Sequence, residues 1–130
     1  MQNPNGSLNG KHVLVVDDDL QLALTFQALL QARNYRASTA GNGAEALKLV
    51  RNDHVDAILC DLNMPELAGD LFYFEVARIR PELLKRFIFV TANADNPLYE
   101  GFLKRVKAPV LSKPTSFDGL LRQLEAVVQA

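Results

Sequence analysis

Short apolar, β-rich runs recur five times along the 130-residue chain, at His12–Val16, Tyr35–Thr39, Val55–Cys60, Phe87–Thr91 and Pro109–Leu111. Each is followed by a helical pattern, at Leu20–Ala32, Ala44–Arg51, Leu71–Arg80, Pro97–Val106 and Phe117–Val128. Strict alternation of this kind leaves few folds open. Consecutive strands that each pass through a helix must run parallel, and a parallel sheet needs helices on both faces. The runs at 13–16, 55–60 and 87–91 are almost continuously apolar, as central strands of such a sheet should be. The expectation is therefore an α/β, doubly wound, five-stranded parallel sheet flanked by five helices.

Local signals support the helix boundaries. Asp19 reads as an N-cap, Asn96 precedes Pro97 at a first helical position, and Ser116 is followed closely by Asp118. Leu22, Phe26, Leu29 and Leu30 form one stripe on the first helix. Leu120, Leu121, Leu124, Val127 and Val128 do the same on the last. In the third, Phe72, Val76 and Ile79 are expected to face the core, which turns Leu71, Phe74 and Arg78 to another side as a candidate contact patch. Gly101 should weaken the fourth helix by roughly 0.5–1 kcal/mol relative to Ala.

Length and charge narrow the function. One domain of this size can bury a single core. A net charge of −1 argues against a nucleic-acid surface. No apolar run approaches the ~18 residues of a membrane span. Residues 1–10, rich in Asn, Gly, Ser and Pro, read as a disordered lead without signal-peptide features, and 11–130 as the domain. Cys60 has no disulfide partner and reads as a small buried residue, while His12 and His54 lack a zinc-ligand set and read as peripheral. The expected compartment is the cytoplasm.

In an open α/β sheet ligands bind beyond the carboxyl ends of the strands. Here the first strand ends in Asp17, Asp18 and Asp19, the third in Asp61, the fourth in Thr91 and the fifth at Ser112, Lys113 and Pro114. Clustered carboxylates repel one another, and a hard divalent cation with oxygen ligands relieves that repulsion. A carboxylate can also attack phosphorus to give an aspartyl phosphate. The metal and Lys113 would then neutralise charge on the transferring group, and Thr91 would hydrogen-bond a phosphoryl oxygen.

Four segments carry a resemblance: Val-Leu-Val-Val-Asp17-Asp18-Asp19, Asp-Ala-Ile-Leu-Cys-Asp61-Leu-Asn-Met-Pro65-Glu-Leu-Ala-Gly69, Phe-Ile-Phe-Val-Thr91-Ala92 and Leu-Ser-Lys113-Pro114. Together, in this order, the chain resembles a response-regulator receiver domain of two-component signalling over about residues 11–129. The resemblance implies a flavodoxin-like sheet of strand order 2-1-3-4-5. It implies Asp61 as the phosphorylated residue, accepting the group from a histidine kinase or a histidine phosphotransfer protein. Mg²⁺, or Mn²⁺ in its place, would be held by Asp18 and Asp61 directly, by Asp17 through water and by the Asn63 backbone carbonyl. Thr91 and Lys113 would contact the phosphoryl group, with a cis bond before Pro114. The output partner is left unnamed, and the resemblance points to a monomer or weak dimer that touches neither nucleic acid nor membrane.

One position departs from the family pattern. Receivers usually carry Tyr or Phe three residues before the lysine, as a switch that works with the hydroxyl of Thr91; here that place is Val110. Phosphorylation does not need the aromatic, so the signal is expected to run through another bistable element, and the fourth helix with Gly101 is the candidate. The Ala-Pro-Val-Leu-Ser-Lys-Pro ending is also similar to receivers at the C-terminus of hybrid histidine kinases, an alternative setting.

Two other functions compete. Gly41-Asn-Gly43-Ala-Glu-Ala46 matches a dinucleotide fingerprint with Asp61 18 residues past Gly43, but its strand is short and polar and the chain has no substrate domain. A metal-dependent aspartyl phosphatase-type hydrolase would want an acid two residues after its nucleophile, where this chain has Asn63, and a cap it lacks. Beyond its own phosphorylation and slow autodephosphorylation, no enzyme activity is expected. Neither Asn63 nor Asn93 is a general base for an attacking water.

Overall fold

A computed structural model describes residues 10–64, 68–92, 95–106 and 108–129. The lead before Gly10, Pro65 and Asn93 lie outside the described residues. Five parallel strands, β1 (His12–Val16), β2 (Arg36–Ala40), β3 (Ala57–Cys60), β4 (Phe87–Thr91) and β5 (Val110–Ser112), form one sheet in the order β2-β1-β3-β4-β5. The helices are α1 (Leu20–Gln31), α2 (Gly43–Asn52), α3 (Gly69–Ile79), α4 (Pro97–Val106) and α5 (Phe117–Val128). A 3₁₀ turn at Pro81–Arg86, which the sequence patterns did not announce, links α3 to β4.

Side-chain alternation along the strands divides the core into two layers. Val13 and Val15 of β1, Ala57 and Leu59 of β3, and Ile88 and Val90 of β4 pack with α1 and α5. Leu14, Val16, Ile58, Cys60, Phe87 and Phe89 pack on the other face with α2, α3 and α4. Every residue of β1, β3 and β4 is buried, which is why these runs read as continuously apolar, whereas the edge strand β2 is only half-buried.

The caps follow the sequence closely. Asp19 accepts from Leu22 N–H, Asn42 from Glu45 N–H, Asn96 from Leu98 N–H and Ser116 from Gly119 N–H. Glu45 Oε1 in turn accepts from Gly41 N–H at 2.9 Å. Gly41 of the dinucleotide-like motif is thus engaged in closing the helix that Gly43 begins.

Three expectations need correction. Leu29 is exposed, and the buried stripe of α1 is Ala23, Phe26 and Leu30, one step round the helix from the one the leucines suggested. The strands at β2, β3 and β5 begin one or two residues later than the apolar runs do. His12 is not peripheral: it is 1% exposed. Its position in β1, flanked by β2 and β3, buries it whatever its polarity, and its ring nitrogens lie 2.7 Å from His54 O and 2.7 Å from Ser38 Oγ.

Candidate phosphoacceptor site

Strand order creates the site. The chain goes outward from β1 to β2, then returns to the far side of β1 to build β3, so crossovers on opposite faces diverge between β1 and β3. Their register sets Val16 beside Cys60, and Asp61 N–H donates to Val16 O at 2.9 Å. The next residues along, Asp17 and Asp61, therefore emerge side by side. On the other flank, Thr91 is paired with Ser112, and Lys113 N–H donates to Thr91 O at 2.9 Å, which points the lysine back over β3. The Lys113–Pro114 bond is cis.

Carboxylate oxygens of Asp17, Asp18 and Asp61 all lie within 4.8 Å of one another. Asp17 and Asp61 are 5% and 7% exposed, while Asp18 faces solvent. Lys113 Nζ donates to Asp17 Oδ2 at 2.7 Å and to Asp61 Oδ2 at 3.1 Å. The remaining oxygens meet backbone: Asp17 Oδ1 accepts from Asp19 N–H at 2.9 Å and Asp61 Oδ1 from Asn63 N–H at 3.1 Å. Thr91, fully buried, closes the β4 end. Among the described residues, the Lys113 ammonium offsets one of these three carboxylate charges, leaving an acidic cleft.

Burial raises the pKa of Asp61; the Asn63 amide and Lys113 pull it down, the Asp17 charge adds to the rise, and the net direction is upward. For Lys113, burial works against the ammonium, but hydrogen bonds and charge from Asp17 and Asp61 outweigh it and its pKa is raised. Cys60 is fully buried, and burial followed by the charges of Asp61, Asp17 and Asp70 keeps its thiol protonated, as expected of a core residue.

The donor set fits a hard cation. Three carboxylates supply oxygen only, their mutual repulsion is incompletely compensated, and the exposed Asp18 leaves a side open to water and to phosphate oxygens. Asn63 follows Asp61 at the same rim, with its N–H committed to Asp61.

Two further contributors act on the backbone just after Asp61: Gly69, already part of the family-like segment, and Tyr99, which the sequence patterns did not single out. A Cβ on Gly69 would stand 2.5 Å from Asp61 O and 2.8 Å from Leu62 Cα, so only glycine lets α3 start this close to the strand end. Gly69 N–H donates to Leu62 O at 3.0 Å. The second is Tyr99 of α4, whose hydroxyl donates to the same Leu62 O at 3.3 Å. Burial, then the charges of Asp70 and Asp61, raise the Tyr99 pKa. Its sequence signal was the pair Tyr99 and Phe102, spaced for one face of α4. Val110 is half-buried beside Phe89, its register partner.

The model of the family described as response regulator receiver domain matches residues 13–125. The transcriptional regulatory protein ZraR of Escherichia coli (strain K12) is 34% identical over 113 residues, covering 87% of this chain and 25% of that protein. The chain thus spans about a quarter of the length of this relative. The probable chemotaxis protein CheY of Rhizobium etli is 29% identical, covering 91% of this chain and 92% of that one. Among solved structures, the chemotaxis protein CheY4 of Vibrio cholerae superposes with TM-score 0.79 at 30% identity, covering 91% of this chain and 98% of that one. The response regulator TrrA of Thermotoga maritima, solved with Mg²⁺ and BeF, gives 0.77 at 28% identity over 90% and 98% of the two chains.

Proposed function

Since the chain belongs to the response regulator receiver domain family, we propose that Asp61 is its phosphoacceptor and that residues 11–130 form a switch set by phosphorylation there. The observation that carries this is the position of Lys113 Nζ, within 3.1 Å of carboxylate oxygens on both Asp17 and Asp61 at one strand-end cleft. A bridging ammonium there holds Asp61 in place and stands ready to pair with added phosphoryl charge.

In the proposed step an Asp61 carboxylate oxygen attacks the phosphorus of a phosphohistidine. A P–O bond forms as the P–N bond breaks, and the imidazole leaves with the bonding electron pair. Asp17, Asp18, Asp61 and the Asn63 carbonyl would hold Mg²⁺ or Mn²⁺, which when bound offsets phosphoryl charge. Lys113 supplies a fixed cation to the transferring group, and the Thr91 hydroxyl hydrogen-bonds one of its oxygens. Burial of Asp17, Asp61 and Thr91 limits competing water. Sustained hydrolase turnover has no acid in place, since the residue two beyond Asp61 is Asn63.

The donor partner is a histidine kinase or histidine phosphotransfer domain. A groove of about 510 Å³ lined by Leu22, Phe26, Leu29 and Phe117 runs up to Lys113 and Pro114. An apolar surface continuous with the reacting end is what a histidine-bearing helical domain needs to seat itself. The same chemistry serves a cytoplasmic stand-alone switch or the regulatory receiver of a hybrid histidine kinase.

Incubation with acetyl phosphate and Mg²⁺ tests this by intact mass. One phosphoryl group is expected on the native chain, none in Asp61→Asn and none with the metal chelated. Labelling that survives Asp61→Asn sinks the assignment.

A further inference from the structure

Val110 leaves the place of the usual switch aromatic without a ring, yet rings do connect the site to α4. Tyr99 and Phe102 are both buried on the inward face of α4. Phe102 packs at 5.4 Å from Phe89, the residue paired with Val110, and at 5.4 Å from Tyr73 of α3. Tyr99 reaches further, to the backbone immediately after Asp61.

The geometry of that backbone makes the contact consequential. Leu62 C=O and Asn63 N–H belong to one planar peptide unit, so fixing the oxygen fixes the direction of the N–H. The oxygen is held from α3 by Gly69 N–H at 3.0 Å and from α4 by the Tyr99 hydroxyl at 3.3 Å. The N–H on the opposite side of the same plane donates to Asp61 Oδ1 at 3.1 Å. One rigid unit therefore spans from the Asp61 carboxylate to α4. The Tyr99 bond is long for O–H···O, so it parts easily when the plane tilts.

We propose that Tyr99 is a positioning residue for Asp61, acting through the Leu62–Asn63 peptide plane, and that this same link passes the state of Asp61 to α4. The proposal rests on Asp61 being the phosphoacceptor. Any rearrangement that draws Asn63 N–H off or onto Asp61 rotates the Leu62 carbonyl, and α4 gains or loses the hydroxyl anchor at its first turn. Gly101, exposed in the middle of α4, makes the helix able to respond.

The experiment uses Tyr99→Phe, which removes only the hydroxyl, and Leu30→Val in α1 as a control for general loss of stability. Intact mass follows phosphoryl occupancy with acetyl phosphate and Mg²⁺, while NMR follows amide exchange at Asn63 and through α4, before and after phosphorylation. Tyr99→Phe should still take up one phosphoryl group. Its Asn63 amide should shift and exchange about fivefold faster than in the native chain. The α4 response to phosphorylation should persist in the native chain and in Leu30→Val and vanish in Tyr99→Phe. A labelled Tyr99→Phe whose Asn63 amide and α4 behave as native overturns this inference alone, as does equal loss of the response in Leu30→Val or its absence in the native chain. A native chain that takes no phosphoryl group overturns both the phosphoacceptor assignment and the link built on it.

Discussion

The Nζ of Lys113 lies 3.1 Å from Oδ2 of Asp61, across 52 residues of sequence, while keeping a 2.7 Å bond to Asp17. The lysine is three-quarters or more buried, so its charge is committed to this pair rather than to solvent. Removing it should leave two buried carboxylates facing each other without compensation. Lys113→Ala is expected to remain phosphorylatable by acetyl phosphate, since Asp61 keeps its Asn63 amide, but to lose the conformational response. Amide exchange before and after labelling checks this; an unchanged response in the variant takes Lys113 out of the coupling.

Cation binding should appear as stability. A ligand that binds only the native state stabilises by about 2.7 kcal/mol at a hundredfold excess over its dissociation constant. Thermal unfolding of the native chain should shift upward as Mg²⁺ is titrated in, and Asp18→Asn should lose most of that shift. Because Asp18 is exposed, the variant should unfold near the native midpoint when metal is absent.

The two glycines on the α3 and α4 side should respond in opposite senses to the same substitution. A methyl at Gly101 meets nothing within 4 Å, so Gly101→Ala should stabilise by about 0.5–1 kcal/mol in urea unfolding. A methyl at Gly69 would collide with the Asp61 carbonyl and Leu62 Cα, so Gly69→Ala should destabilise by about 1–3 kcal/mol and slow phosphorylation. Equal effects from both would mean that backbone entropy, not the close approach at Asp61, governs Gly69.

Much of this architecture was legible beforehand because it depends on local patterns. Buried central strands must be apolar on both faces, so β1, β3 and β4 announced themselves, and acids at their carboxyl ends had to meet once the strands were parallel. What stayed hidden depends on neighbours. Leu29 and Ala23 exchange places because packing of α1 against β1 and α5, not leucine content, decides which face is inward. His12 is buried because β2 and β3 flank it and Ser38 and His54 satisfy its ring. Tyr99 acts on Leu62, 37 residues away, and no helical periodicity reveals such a partner.

At the opposite end of the sheet, Asp56 offers a test of the fold's electrostatics. Burial raises its pKa, but the His12 N–H, then His54 and Lys11, lower it further, and the net direction is below the ordinary 3.8. A carboxylate depressed in the folded state contributes stability above its unfolded pKa and loses it as pH falls through the folded value. Denaturant midpoints should therefore be higher for the native chain than for Asp56→Asn above about pH 5, and the gap should close as pH falls below 3.8 through the folded value. A gap that persists at low pH would assign the effect to packing instead of charge.

The most direct test of the phosphoacceptor assignment localises the group rather than counting it. Treating the phosphorylated native chain with borohydride reduces an aspartyl phosphate to homoserine and releases phosphate, and peptide sequencing by mass then shows which aspartate was changed. The expected result is homoserine at position 61 alone, with Asp17, Asp18 and Asp19 intact. Homoserine at any of those three, or at none of the four, contradicts the account.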